Sequence, residues 1–237
     1  MDYTYLDQNL ARVREELARA CGSGGYSPEG VTLMAAIKSA DVEEINYLHT
    51  VLGVNFVGEN RVQQLLERYD RLEKEGLSIH FIGTLQRNKV KYIIDKVDMI
   101  QSLDSDKLAD EIEKQAAKHG IVMDVLAEIN SGLEESKSGL CPDEVEDFCR
   151  SLSEFPHIRL RGFMTMAPKC EKKEDYHKYF QKTYLQCLDI WQKKLHNIGR
   201  PVLSMGMSES FEVAIEEGSS MVRIGRALFA EPQDESL

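Results

Sequence analysis

Lys38 closes the apolar run Val31-Thr-Leu-Met-Ala-Ala-Ile37 and stands just before Ser39-Ala-Asp41, where a helix can start. A lysine at the carboxyl end of a buried strand aims its amine into the mouth of a fold. Desolvation there favours the neutral amine, which can attack a carbonyl carbon and form a Schiff base. A lone lysine can equally snorkel to the rim and keep a strand end wet, so its partners decide. Leu203-Ser-Met-Gly-Met-Ser208 supplies the hydroxyls of Ser204 and Ser208, and Gly206 lets a backbone approach closely. A helix starting near Glu209 would add free N–H groups, a set suited to an anion such as phosphate. Gly225 opens a turn on the next strand, although both serines could also be simple helix caps. Arg223 lies within the run Met221-Val-Arg-Ile-Gly225, and a buried guanidinium needs either a carboxylate or a ligand. Facing a ring nitrogen, it would keep its protons and leave that nitrogen unprotonated, a poor electron sink for carbanion chemistry.

Short apolar runs must carry these residues. Strands are expected at Val31–Ile37, Val54–Val57, Ile79–Ile82, Met99–Gln101, Met123–Ile129, Leu160–Met164, Val202–Ser204 and Met221–Ile224. Helical patterns lie between them, near Val42–Leu52, Arg61–Glu75, Arg87–Asp95, Ser105–His119, Pro142–Glu154, Lys173–Ile198 and Glu209–Glu217. Gly53, Gly76, Gly120 and Gly218 follow four of these helices, and Asp41-x-x-Glu44 has the form of a capping box. Ser105 offers a further N-cap oxygen. Eight such strands alternating with helices predict parallel βαβ units. The length of 237 residues favours closure into a (β/α)8 TIM barrel. No G-x-G-x-x-G follows the first strand, which removes the signature of an open dinucleotide-binding sheet. Leu6, Leu10, Val13 and Leu17 form one stripe of an additional N-terminal helix over residues 4–21. The whole chain, 1–237, reads as one domain with an acidic tail at 231–237.

The formal net charge of −11 argues against a broad nucleic-acid surface, leaving Arg87-Asn-Lys89-Val-Lys91 as a local basic patch. No segment is apolar enough to span a bilayer and none resembles a secretory signal, so a cytoplasmic protein without membrane partners is expected. Five cysteines lack C-x-x-C spacing, and the histidines form no metal-binding motif. His80, inside a strand, reads as a core or rim imidazole.

Several motifs stand in order along nearly the whole chain: Lys38 after its strand, Val57-Gly-Glu-Asn-Arg-Val-Gln63, His80-Phe-Ile-Gly83 and Leu85-Gln-Arg-Asn-Lys-Val-Lys91. Glu135-Ser-Lys-Ser-Gly139, Gly162-Phe-Met-Thr-Met166, Leu203-Ser-Met-Gly-Met-Ser208 and Val222-Arg-Ile-Gly225 complete the series. Together they resemble the pyridoxal phosphate homeostasis protein family, single-domain proteins similar to the N-terminal barrel of alanine racemase. The resemblance implies a type III barrel that holds pyridoxal 5′-phosphate (PLP) as a Schiff base. It also implies a role in vitamin B6 homeostasis and amino-acid/keto-acid balance, without established turnover. Lys38 would then carry the cofactor, Arg223 would face the pyridine nitrogen and Asn60 would lie near the ring hydroxyl or edge. Ser208, Gly225 and Ser204 would hold phosphate, while Met164 and Met207 would flank the ring. The family usually has histidine where this chain has Thr84, and often tryptophan where it has Ile79. It usually has threonine where Arg226 stands; the Arg226 backbone N–H or guanidinium could replace that lost hydroxyl.

A non-catalytic PLP carrier or buffer is expected over a PLP-dependent amino-acid racemase. Racemase chemistry needs two bases on opposite ring faces, and the resemblance places one on a further domain for which the residues after strand eight leave no room. A sugar-metabolism barrel with Lys38 as an aldolase-type lysine is a third reading. PLP-dependent apo-enzymes are candidate recipients, and a monomer is expected. Lys137 could serve as a secondary aldehyde acceptor, although Glu134 and Glu135 would hold its ammonium charged, as on a solvated surface.

Overall fold

The protein is described by a computed structural model covering residues 2–134, 138–193 and 201–231. Its strands are β1 (Thr32–Ala36), β2 (Phe56–Glu59), β3 (Ser78–Phe81), β4 (Met99–Leu103), β5 (Met123–Ile129), β6 (Ile158–Thr165), β7 (Val202–Met207) and β8 (Met221–Ile224). They pair in parallel in chain order, and β1 also pairs with β8, which closes the barrel. The helices are α1 (Thr4–Gly24), α2 (Val42–Thr50), α3 (Val62–Arg68), α4 (Val90–Ile93), α5 (Asp106–His119), α6 (Val145–Ser151), α7 (Tyr176–Gln192), α8 (Phe211–Glu216) and α9 (Arg226–Phe229). This is the expected (β/α)8 barrel with an N-terminal helix.

Strand alternation divides the core in two. Outward residues such as Val57, Ile79, Phe81, Val125 and Val222 pack against the helices in one large cluster. Inward residues fill the barrel with two small groups, Met34–Ile82–Met221 and Met99–Leu126–Met164. The Asp41–Glu44 capping box starts α2 as expected, and the Tyr5 hydroxyl donates to Glu44, tying α1 to that turn. Asn9 Nδ2 donates to Leu228 O and Ala230 O, both at 2.9 Å, so α1 also secures α9 behind the carboxyl ends of the strands.

Several boundaries differ from the sequence pattern for local reasons. β2 begins at Phe56 because the Val54 N–H is tied back to Leu48 O at 3.1 Å, out of the ladder. Helix α3 stops at Arg68 and continues only as one 3-10 turn, Tyr69–Arg71. Ser105 precedes α5 but its hydroxyl donates to Asp104 Oδ1 instead of capping the helix. The expected end of α7 at 194–198 lies outside the described residues, as does nearly all of the acidic tail.

Candidate functional site

In β1 the alternation puts Met34, Ala36 and Lys38 on one face; Met34 is buried in the barrel, and Ala36 and Lys38 line a cavity at its mouth. This cavity has a volume of about 410 Å³, within the usual range for a small-molecule site. Asn60, Met207, Ser208, Arg223, Gly225 and Arg226 share its lining with Lys38. Seven of the nine predicted site residues therefore meet in one place. Lys38 itself is in the turn after β1 and is exposed, not buried.

Two predicted residues are elsewhere. Ser204 does not line the cavity; it is fully buried inside the barrel, where its hydroxyl donates to Gln101 Oε1 at 2.8 Å and accepts from Arg223 Nη1 at 2.6 Å. That places it apart from the cavity in which it was expected to hold phosphate. Met164 packs one layer lower, with Met99 and Leu126, and Met166, two residues on, takes the place at the mouth.

Arg223 is almost completely buried, and burial pushes its guanidinium down to about 10, a direction that still leaves it charged at neutral pH. No carboxylate pairs with it among the described residues. Nη1 donates to Ser204 O at 2.8 Å as well as to Ser204 Oγ, and Nη2 donates to Thr165 O at 2.9 Å. Those three bonds leave two of the five guanidinium N–H donors for the cavity. Asn60 Oδ1 is buried and has no hydrogen-bond partner, an acceptor awaiting a donor. The loops after β7 and β8 are joined where Ser208 Oγ accepts the Ala227 N–H at 3.2 Å. Arg226 turns its guanidinium to Glu209, 2.7 Å away at the exposed rim, so that cation is already balanced.

Thr84, at the position of the family's usual histidine, lines a neighbouring cavity of about 520 Å³ and pairs with Ser138 Oγ at 3.2 Å. Ser138 in turn donates to Glu128 Oε1 at 3.2 Å, and burial pushes that carboxyl up to about 7. Ile79 is buried on the outer face of β3, away from either cavity. Lys137 lies outside the described residues. Among the described residues no group of side chains is arranged to hold a metal ion. Sequence reasoning missed Tyr176, which lines both cavities from the start of α7, and Glu209, Ser39 and Phe229, which line the first. Met166 was within reach of it, since strand alternation places it on the same face as Met164.

A parallel barrel that gathers an amine, a guanidinium and two linked loops at the carboxyl ends of its strands defines a class. Residues 5–232 match the profile of the alanine racemase N-terminal domain, and the chain belongs to that family. Within it, the curated relatives are more particular. The pyridoxal phosphate homeostasis protein of Aquifex aeolicus (strain VF5) is 44% identical over 224 residues, covering 94% of this chain and 97% of the relative. The solved structure of PipY from Synechococcus elongatus PCC7942, with PLP bound, superposes with a TM-score of 0.82 at 26% identity, covering 95% of this chain and 100% of PipY. An alanine racemase from Clostridium difficile 630 shares the fold, with a TM-score of 0.75 at 20% identity; the match covers 98% of this chain but 58% of the racemase.

Proposed function

We propose that this protein binds PLP and serves in vitamin B6 homeostasis, holding the cofactor on Lys38 and releasing it without catalytic turnover. The observation that carries this reading is the meeting of Lys38, Asn60, Ser208, Gly225 and Arg223 in one cavity. It is supported by the names of the relatives and by the bound PLP of PipY.

The donor set fits the cofactor at each of its polar features. The unpartnered Asn60 amide oxygen would meet the ring hydroxyl or ring edge, and the two remaining Arg223 donors would meet the pyridine nitrogen. Ser208 and the backbone at Gly225 would hold the phosphate, in the loops where barrels of this kind frequently bind it. Met207 offers an apolar neighbour for the ring. When bound, PLP would supply an aldehyde carbon, and Lys38 would supply the amine that bonds to it with loss of water. Arg223 keeps its protons at neutral pH, so a ring nitrogen placed against it would stay unprotonated and carbanions would be weakly stabilised. That favours a carrier over a racemase.

Among the described residues no helix is long and apolar enough to cross a membrane. The same reading has the protein act in the cytoplasm as a monomer that passes cofactor to PLP-dependent apo-enzymes. The visible spectrum of the purified protein with PLP, before and after borohydride, tests the proposal. A band removed by reduction, with the reduced adduct mapped to Lys38, is expected. A spectrum identical to free PLP with no adduct would refute it.

A further inference from the structure

Arg68 reaches from α3 to the ends of two strands at once. Its Nη1 donates to Ile37 O at 2.8 Å and lies 3.1 Å from Glu59 Oε2. One turn earlier on α3, Gln64 Nε2 donates to Lys38 O at 3.4 Å. Residues four apart share a helix face, so two side chains of one face grip the consecutive carbonyls on either side of the Lys38 α-carbon. Glu59 completes the link. It is fully buried at the end of β2, and its Oε1 accepts the N–H of Asn60 at 2.7 Å and of Arg61 at 3.0 Å. A single guanidinium therefore fixes the amine-bearing turn against the segment that carries the unpartnered Asn60 amide.

Nothing about stability demands this pair. A buried ion pair costs desolvation, and an apolar pair of similar volume often serves a fold as well. What the pair adds is register between two strand ends at the mouth. Among the described residues no hydrogen bond or ion pair joins Arg68 or Glu59 to Ser208 or Gly225 on the far side of the cavity, so anchoring of phosphate and placement of the amine would depend on different residues.

We propose that Arg68, acting through Glu59 and the Ile37 carbonyl, is a positioning residue that sets Lys38 against Asn60 for covalent attachment of PLP. The inference rests on the reading that Lys38 carries the cofactor. A displacement of about 1 Å in such a geometry can cost on the order of 100-fold in rate.

The test separates attachment from anchoring. Borohydride trapping of PLP gives the rate of attachment, and the affinity for pyridoxine 5′-phosphate, which has an alcohol in place of the aldehyde, gives anchoring alone. The variant is Arg68→Met with Glu59→Gln, which leaves no unpaired charge buried; should it not fold, Arg68→Lys is measured in the same way. Trapping at least tenfold slower than wild type, with analogue affinity within twofold, is expected. An unchanged trapping rate would overturn the proposal, and so would equal losses of rate and analogue affinity, which would mean general loosening. If wild type itself gives no adduct on Lys38, the functional reading fails first and the positioning role with it.

Discussion

Ser204 Oγ and Arg223 Nη1 lie 2.6 Å apart inside the barrel, at the head of a chain of side-chain hydrogen bonds that runs away from the cavity. Ser204 donates to Gln101 Oε1 at 2.8 Å, and Gln101 Nε2 lies 2.8 Å from His80 Nδ1. An amide nitrogen has only hydrogens to offer, so Nδ1 accepts and the ring carries its proton on Nε2, 3.1 Å from Ser78 Oγ. The imidazole is thus neutral, in keeping with burial that pushes it down to about 4. Arg223 is held from behind by neutral groups, which spend three of its donors without cancelling its charge.

Ser204→Ala should therefore act on stability and leave phosphate anchoring to Ser208. Removing the hydroxyl strands Gln101 Oε1 and one Arg223 donor, at a cost of about 1–3 kcal/mol. Urea unfolding is expected to show that loss for Ser204→Ala, while pyridoxine 5′-phosphate binding weakens in Ser208→Ala and not through a lost phosphate contact in Ser204→Ala. Weakening confined to Ser204→Ala would restore the original assignment.

Lys38→Ala removes an exposed side chain from a turn, so its stability should stay within about 0.5 kcal/mol of wild type. Its borohydride-stable PLP adduct should vanish. Mass spectrometry of reduced, digested protein checks this, and an adduct of wild-type yield would move the attachment to another amine.

The difference between Ser204 and Ser208 marks where the sequence stops being informative. Both fit an S-x-G-x-S pattern, but the register of β7 against β8 shifts between Ser204 and Met207, and spacing alone does not reveal such an irregularity. Alternation put Met164 and Met166 on the same face without saying which layer was the mouth. The positions of Lys38, Arg223 and Gly225 were legible because each lies within a short strand or within two residues of its end, where the apolar neighbours fix the facing. Tyr176 arrives from a helix far along the chain, and α9 spans four residues, too few for any helical period to show.

Gly83 gives a steric test of the mouth. A methyl group there would stand 2.1 Å from Asn60 O, a backbone atom that cannot step aside as a flexible side chain would. Gly83→Ala should cost about 1–3 kcal/mol through overpacking and displace the Asn60 segment. Lower pyridoxine 5′-phosphate affinity together with a lower urea midpoint is expected; wild-type values for both would show that the two loops separate freely.

The last prediction concerns acid and alkali limits, because two buried groups in the barrel oppose each other. His80 is held down to about 4 by burial, below its ordinary 6.5. Its contribution to stability is fully present above 6.5 and is lost as pH falls from there toward 4. Glu128 is pushed up to about 7, chiefly by burial, from an ordinary 4.5. Its contribution is fully present below 4.5 and is lost as pH rises toward 7. Each swing is on the order of 3 kcal/mol, so between 4.5 and 6.5 they largely cancel. Glu128→Gln keeps an acceptor for Ser138 but removes one of the two swings. Its stability should climb with pH from about 4 to 6.5, where wild type stays nearly flat, and the gap should favour the variant most near pH 7. Urea midpoints measured across that range for both proteins decide it, and parallel curves would mean that folding does not raise the Glu128 carboxyl above its ordinary value.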